Sequence, residues 1–311
     1  MNKTIKANIC IFIAAVIWGS AFVTQRMGMD SMGPFYFNAL RNFLGSAVLI
    51  LVWFVTHKMG IDKDMEPEYP ASPTDGFLTA RRKMLIKGGL VCGVVVCAAG
   101  VSQQIGLQYV EAGKSGFLTA MYIVIVPMLG VLLKQPVRAN HFVGAILGVI
   151  GLYYLCINGA FTIAWGDLIS LVGAFFWAVH ILVIDHFAPK LNPIKLSAAQ
   201  FFVSACLSLL IGSFVEEISM EAIRSGAIAI IYTGIMSSAV AFTLQVFAQR
   251  HANPTAASII MSMEALFAVI CGFLFLGEVL TARELFGCLV MLVAVIIAQV
   301  SPADLIKKKN S

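Results

Sequence analysis

Few side chains in this sequence can do chemistry, and those that can sit in apolar surroundings. Glu264 is the lone acid in SIIMSMEALFAVICGFLFLG, residues 258–277, and Arg41 the lone cation in NALRNFLGSAVLIL. Trp18, Tyr122 and Trp177 fall inside other apolar runs, as do the amides Gln103, Gln104 and Gln245; His180 follows Trp177 by three residues, on the same helical face. These residue types suit binding better than bond-making. A buried carboxylate can face a substrate cation or carry a proton. An arginine stays protonated and can grip a substrate carboxylate. Indoles stack on rings and cations, and Tyr122 offers both a ring and a hydroxyl. Each also has a packing alternative. Glu264 can fix a helix interface, Arg41 can pair with Glu264 or snorkel to carbonyls, the tryptophans can pack in the core, the amides can join helices, and His180 can be a satisfied interior group.

Catalysis and cofactors find no support. The five histidines, His57, His141, His180, His186 and His251, are scattered over different segments, so no acid–base pair is expected and the chain is read as no enzyme. The seven cysteines all lie in apolar runs, and Cys92 and Cys97 have neither metal-ligand nor redox spacing. No metal and no cofactor are expected, and no G-x-x-x-x-G-K-[ST] loop signals nucleotide hydrolysis.

The elements that must hold these residues follow from composition. Apolar residues make up 59% of the chain and charged residues 12%, about half the charge of a soluble domain. This implies an all-α polytopic membrane protein. The net charge of +5 lies in short loops, which argues against nucleic-acid binding. Ten apolar runs approach spanning length, at 8–27, 34–56, 85–108, 115–134, 140–157, 166–186, 195–215, 224–249, 255–277 and 284–300. The first reads as an uncleaved helix, since no A-x-A-like site follows it. The segment 57–84, DKDMEPEYPASPTDG at its centre, reads as a solvated linker. If both termini are cytoplasmic, sixteen basic residues fall on inner segments and four on outer ones, so the positive-inside rule places both termini in the cytoplasm of an inner or plasma membrane. Glu264 then lies ~15 Å into its span and Arg41 ~10 Å into its own, at 1.5 Å per residue.

The chain also repeats itself. FLTAMY at 117–122 matches IIMSME at 259–264, AAVIW at 14–18 matches GAFFW at 173–177, and VGAILGVIGL at 143–152 loosely matches FGCLVMLVAV at 286–295. Residues 8–157 thus form a first five-helix unit and 166–300 a second. Five is odd, so the copies are expected to be inverted in the membrane, a transporter device with the site near midplane between the repeats. Tyr122 aligns with Glu264 and Trp18 with Trp177. GAILGVIG at 144–151 allows close helix approach, either inside the bundle or across a homodimer.

Several stretches resemble the EamA domain pair of the drug/metabolite transporter superfamily. AAVIWGSAFV resembles its first helix, NALRNFLGSAVLIL its second through Arg41, GFLTAMYIVIVPML its fourth through Tyr122 and Pro127, and MSMEALFAVICGFLFLGEVLTARELFG its ninth helix and following loop through Glu264, Gly277 and Glu278. Ala265 stands where the family usually has proline. The resemblance implies ten transmembrane helices in two inverted repeats and movement of a small metabolite, such as an amino acid or an amphiphilic or aromatic compound, by alternating access, with export as the expected direction. Sugar or nucleotide-sugar carriage and multidrug efflux are the rival transport readings; a receptor or scaffold is the rival class. The candidate substrate-binding set is Trp18, Arg41, Gln104, Tyr122, Trp177, His180, Gln245 and Glu264, with a small molecule, the lipid bilayer and protons as partners. A single mid-span arginine argues mildly against phosphorylated substrates, which usually engage several donors.

Overall fold

A computed structural model describes residues 3–61, 65–66, 76–110, 112–157, 163–276 and 281–299. Among the described residues every regular element is helical. The first unit comprises α1 (Lys3–Ser31), α2 (Pro34–Lys58), α3 (Gly76–Tyr109), α4 (Ala112–Thr119), α5 (Tyr122–Leu132) and α6 (Ala139–Cys156). The second comprises α7 (Trp165–Phe187), α8 (Pro193–Val215), the short α9 (Met220–Ser225), α10 (Ala227–Tyr232), α11 (Phe242–Gln249), α12 (Pro254–Met261), α13 (Glu264–Leu276) and α14 (Ala282–Gln299). Among the described residues, eight helical stretches are long and apolar enough to cross a bilayer, and α6 is shorter. Gly277 and Glu278 lie outside the described residues.

Proline and asparagine set several helix starts. Pro34, Pro193 and Pro254 occupy first turns, where the missing amide costs nothing. Asn192 accepts from the amides of Ile194 and Lys195, and Asn253 from those of Thr255 and Ala256, satisfying donors that the helix leaves orphaned. The N-terminus of α2 is closed differently: Glu216 accepts from the amides of Phe35 and Tyr36, both at 2.9 Å. The carboxylate also faces the positive end of the helix dipole.

Three apolar runs that read as continuous helices are interrupted. The run at 115–134 breaks between α4 and α5, and the run at 255–277 breaks between α12 and α13. The breaks share corresponding hydrogen bonds. Met121 and Ile123 donate to the carbonyls of Leu118 and Ala120; Met263 and Ala265 donate to those of Ile260 and Ser262. Every one of these bonds spans three residues, so the chain tightens for one turn in mid-span. The corresponding residues lie 142 apart, and Tyr122 and Glu264 each open the second half-helix. The third interruption is a π-helical stretch, Thr233–Ala241, closed by the Phe242 amide donating to the Ser237 carbonyl.

Helix pairing has the same doubled character. α2 packs along α8 and α6 along α14; α1 packs on α13 while α7 packs on α4 and α5. Small residues permit the tightest crossings. A methyl group on Gly151 would stand 2.9 Å from the Met291 amide nitrogen and 3.0 Å from the Gly287 carbonyl oxygen. Gly144 faces Ala298 and Gly148 faces Ile123 in the same way. The glycines of GAILGVIG are therefore packed inside the bundle.

Candidate functional site

Between these helices lies a narrow cleft, about 490 Å³ counting the space at its mouth that is open to the surroundings. Glu264 reaches it from the start of α13 and is 6% exposed. Tyr122, at the matching break, donates its hydroxyl to Glu264 Oε1 at 3.0 Å. The two residues aligned across the internal repeat thus meet as one hydrogen-bonded pair. Gly19 is what lets α1 come this close: a methyl there would stand 2.7 Å from the Glu264 carbonyl oxygen and 2.8 Å from the Ala268 nitrogen.

Arg41 lines the same cavity, 6% exposed. It neither pairs with Glu264 nor snorkels to carbonyls. Its Nη1 donates to Gln25 Oε1 at 2.9 Å, and its Nε and Nη2 donate to Asn38 Oδ1 at 3.1 and 2.9 Å. Gln104 also donates to Gln25 Oε1. Behind them Asn38 donates to Ser208, Asn42 to Ser204, and Ser238 to Asn42. This seam is neutral throughout. Amide oxygens solvate the guanidinium without cancelling its charge, and a buried charge lacking a counter-ion is costly. Among the described residues the ion pairs lie elsewhere, at Lys114–Asp167 and at Glu66 with Arg81 and Lys195.

Aromatic rings supply the apolar wall. Phe242, the first residue past the π-helical stretch, meets Trp18 edge-on at 4.8 Å and stacks on Trp177 at 5.6 Å and 27°. Phe201 meets its other side at 5.1 Å. Four buried polar atoms of the cavity residues have no hydrogen-bond partner among the described residues: Trp18 Nε1, Trp177 Nε1, Thr119 Oγ1 and Gln245 Oε1. Buried polar atoms are ordinarily satisfied; here two indole N–H donors, an amide oxygen and a hydroxyl of the lining residues are not, among the described residues.

Of the candidate substrate-binding residues, Trp18, Arg41, Tyr122, Trp177, Gln245 and Glu264 line the cavity together. Gln104 and His180 stand behind it. Gln104 buttresses Gln25, and His180 shares a 2.9 Å hydrogen bond with Gln200 while touching Phe242 edge-on. Gln103 takes the lining position on α3 instead. Sequence reasoning missed Gln25, Thr119, Ser237 and Phe242. Gln25 had a signal, since it lies seven residues after Trp18 and shares its helix face. Phe242 had none, because an aromatic residue in an apolar run looks like any other.

The comparisons with known proteins agree with this architecture. An uncharacterized transporter of Archaeoglobus fulgidus is 28% identical over 296 residues, covering 95% of this chain and 86% of its own. The uncharacterized inner membrane transporter YedA of Escherichia coli K12 is 23% identical, covering 92% and 88%. A WAT1-related chloroplastic protein of Arabidopsis thaliana is 24% identical, covering 89% of this chain and 66% of its own. One solved crystal structure superposes with a TM-score of 0.74 at 17% identity, covering 94% of this chain and 96% of that one, a likeness of fold. The model of the EamA-like transporter family matches residues 5–157 and again 164–299, nearly the whole chain, and this integral membrane protein belongs to that family.

Proposed function

We propose that the protein moves a small zwitterionic metabolite with an apolar or aromatic side chain, an amino acid or a close analogue, across the inner or plasma membrane by alternating access. One observation carries this reading: a single cavity holds one buried cation, one buried acid and an aromatic wall. Arg41 would take the substrate carboxylate, Glu264 and Tyr122 the ammonium, and the rings of Trp18, Trp177 and Phe242 the side chain. Zwitterion binding supplies each buried charge with the counter-ion it otherwise lacks.

The twin mid-span breaks, the exchangeable helix pairings and the doubled family match support two five-helix repeats inverted about the cavity. Discontinuous helices are a common way to build a midplane site. On this reading the two halves rock about the Tyr122–Glu264 contact, both termini are cytoplasmic, and the direction is export.

The test is exchange in proteoliposomes with labelled phenylalanine and tryptophan beside their decarboxylated amines and deaminated acids. Transport of the amino acids in preference to both truncated forms supports the assignment. Equal transport of the amines would remove Arg41 as the carboxylate partner, and no transport of any zwitterion would overturn the reading.

A further inference from the structure

A second cavity lies where the C-terminal end of α2 meets the N-terminal ends of α3 and α8, with about 1330 Å³ of space open to the surroundings. Its two ends differ in chemistry. Ile50, half-exposed on α2, and Leu85 on α3 line the part that runs along the apolar spans. Arg81, Arg82, Lys190 and Lys195 line the part at the helix ends. Against these four cations the cavity holds one carboxylate, Glu66, which bonds Lys195 at 2.6 Å and Arg81 at 3.3 Å. Trp53 stands between the two parts. Its ring stacks on His57 at 5.6 Å and lies 5.5 Å from Lys195 Nζ. Its buried indole Nε1 has no acceptor among the described residues.

We infer that this cavity binds an anionic phospholipid, the phosphodiester among Arg82, Lys190, Lys195 and the Trp53 indole N–H, one acyl chain along Ile50 and Leu85. Charge complementarity carries the headgroup half, because the cations outnumber the acid. The apolar half decides between sources. A free phosphorylated solute would use the basic rim and leave Ile50 and Leu85 idle, whereas a diacyl lipid fills both parts. Basic pockets between spanning helices are a known way to hold anionic headgroups. Glu66 has a role in this arrangement, since it fixes Lys195 and Arg81 in place before lipid arrives.

The test uses the full chain in detergent, with bound lipids counted by native mass spectrometry. Dioleoyl phosphatidylglycerol should bind about tenfold more tightly than dioleoyl phosphatidylcholine. Arg82→Gln with Lys190→Gln, both changes at the cavity's edge, should cut that preference to about twofold, and Trp53→Phe should weaken it by a smaller factor. Thermal melting of each variant checks that it is folded, and Lys190→Arg should retain the preference. Soluble glycerophosphate, added at the same phosphate concentration, should not compete. Effective competition by glycerophosphate would make this a free-phosphate site and overturn the lipid assignment. Equal binding of the two lipids to the wild-type chain would overturn it outright.

Discussion

Glu66 and Glu264 are the same side chain on different terms. Glu66, a quarter exposed at the basic end of the bundle, holds two cations, Lys195 and Arg81, and accepts from Asn192 at 3.4 Å. Among the described residues Glu264, in the centre, holds only the Tyr122 hydroxyl, and the guanidinium lining the same cavity is given amide oxygens instead. The interfacial acid is neutralised by its own chain. The central acid and cation are each hydrogen-bonded and left without a counter-ion among the described residues. A buried guanidinium without a counter-ion is expensive. On the proposed reading, keeping them apart leaves both available to a substrate.

That contrast can be broken in several ways, beginning with the largest effect. Arg41→Gln should lower affinity for carboxylate-bearing substrates about a hundredfold, the worth of hydrogen bonds to a charged group, while the melting temperature falls only modestly, because removing an uncompensated buried charge offsets the loss of its hydrogen bonds to Gln25 and Asn38. Transport assays beside thermal melts read both. A collapse of stability would mean that Arg41 is a structural member of the α2–α8 seam. Gly19→Ala tests the packing behind the site. The added methyl meets backbone of α13 on a helix that cannot yield cheaply, so unfolding should come about 1–3 kcal/mol sooner, measured by denaturant or thermal melts in detergent.

Glu264→Gln keeps an acceptor for Tyr122 and removes the ionisable carboxyl. Affinity for ammonium-bearing substrates should fall about tenfold, with deaminated acids little affected, as competition binding would reveal. Tyr122→Phe removes only the hydroxyl, and a loss of about 1 kcal/mol in stability or binding is expected. The smallest effect belongs to the basic end. Glu66→Gln should cost under about 1 kcal/mol and fade further at high salt, since partly exposed pairs are weak and screened. A larger loss there than at Glu264 would invert the comparison.

Much of the bundle was legible from the residues. Long apolar runs with sparse charge read as spans, eight of which are long and apolar enough among the described residues, and repeated short matches at offsets of 142, 143 and 159 residues pointed to two related units. The same alignment paired Tyr122 with Glu264, which the folded chain joins by a hydrogen bond. What was not legible had a physical cause. The breaks at 120–121 and 262–263 carry no proline or glycine, so nothing local announces them. The π-helical stretch TGIMSSAVA likewise looks like ordinary apolar helix. Gln103 and Gln104 are neighbours of the same type, and only the rotation of α3 decides which one faces the cavity. The solvated-linker reading of 57–84 also overlooked that α3 begins at Gly76 and that Glu66 docks on α8, because a carboxylate's choice of distant partner leaves no trace in its own neighbourhood.

By itself, then, the sequence determined the solvent this protein lives in, the doubling of its helices and the short roster of polar groups that must be accounted for in hydrocarbon. Those follow from composition, length and period, which are properties of the chain before it folds. Tertiary structure alone decided that Arg41 and Glu264 share a cavity without pairing, that Phe242 joins two tryptophans, and that the glycines of α6 are spent on α5 and α14. Each of these depends on how helices far apart in sequence rotate and approach, and that is set by the packing of the whole bundle.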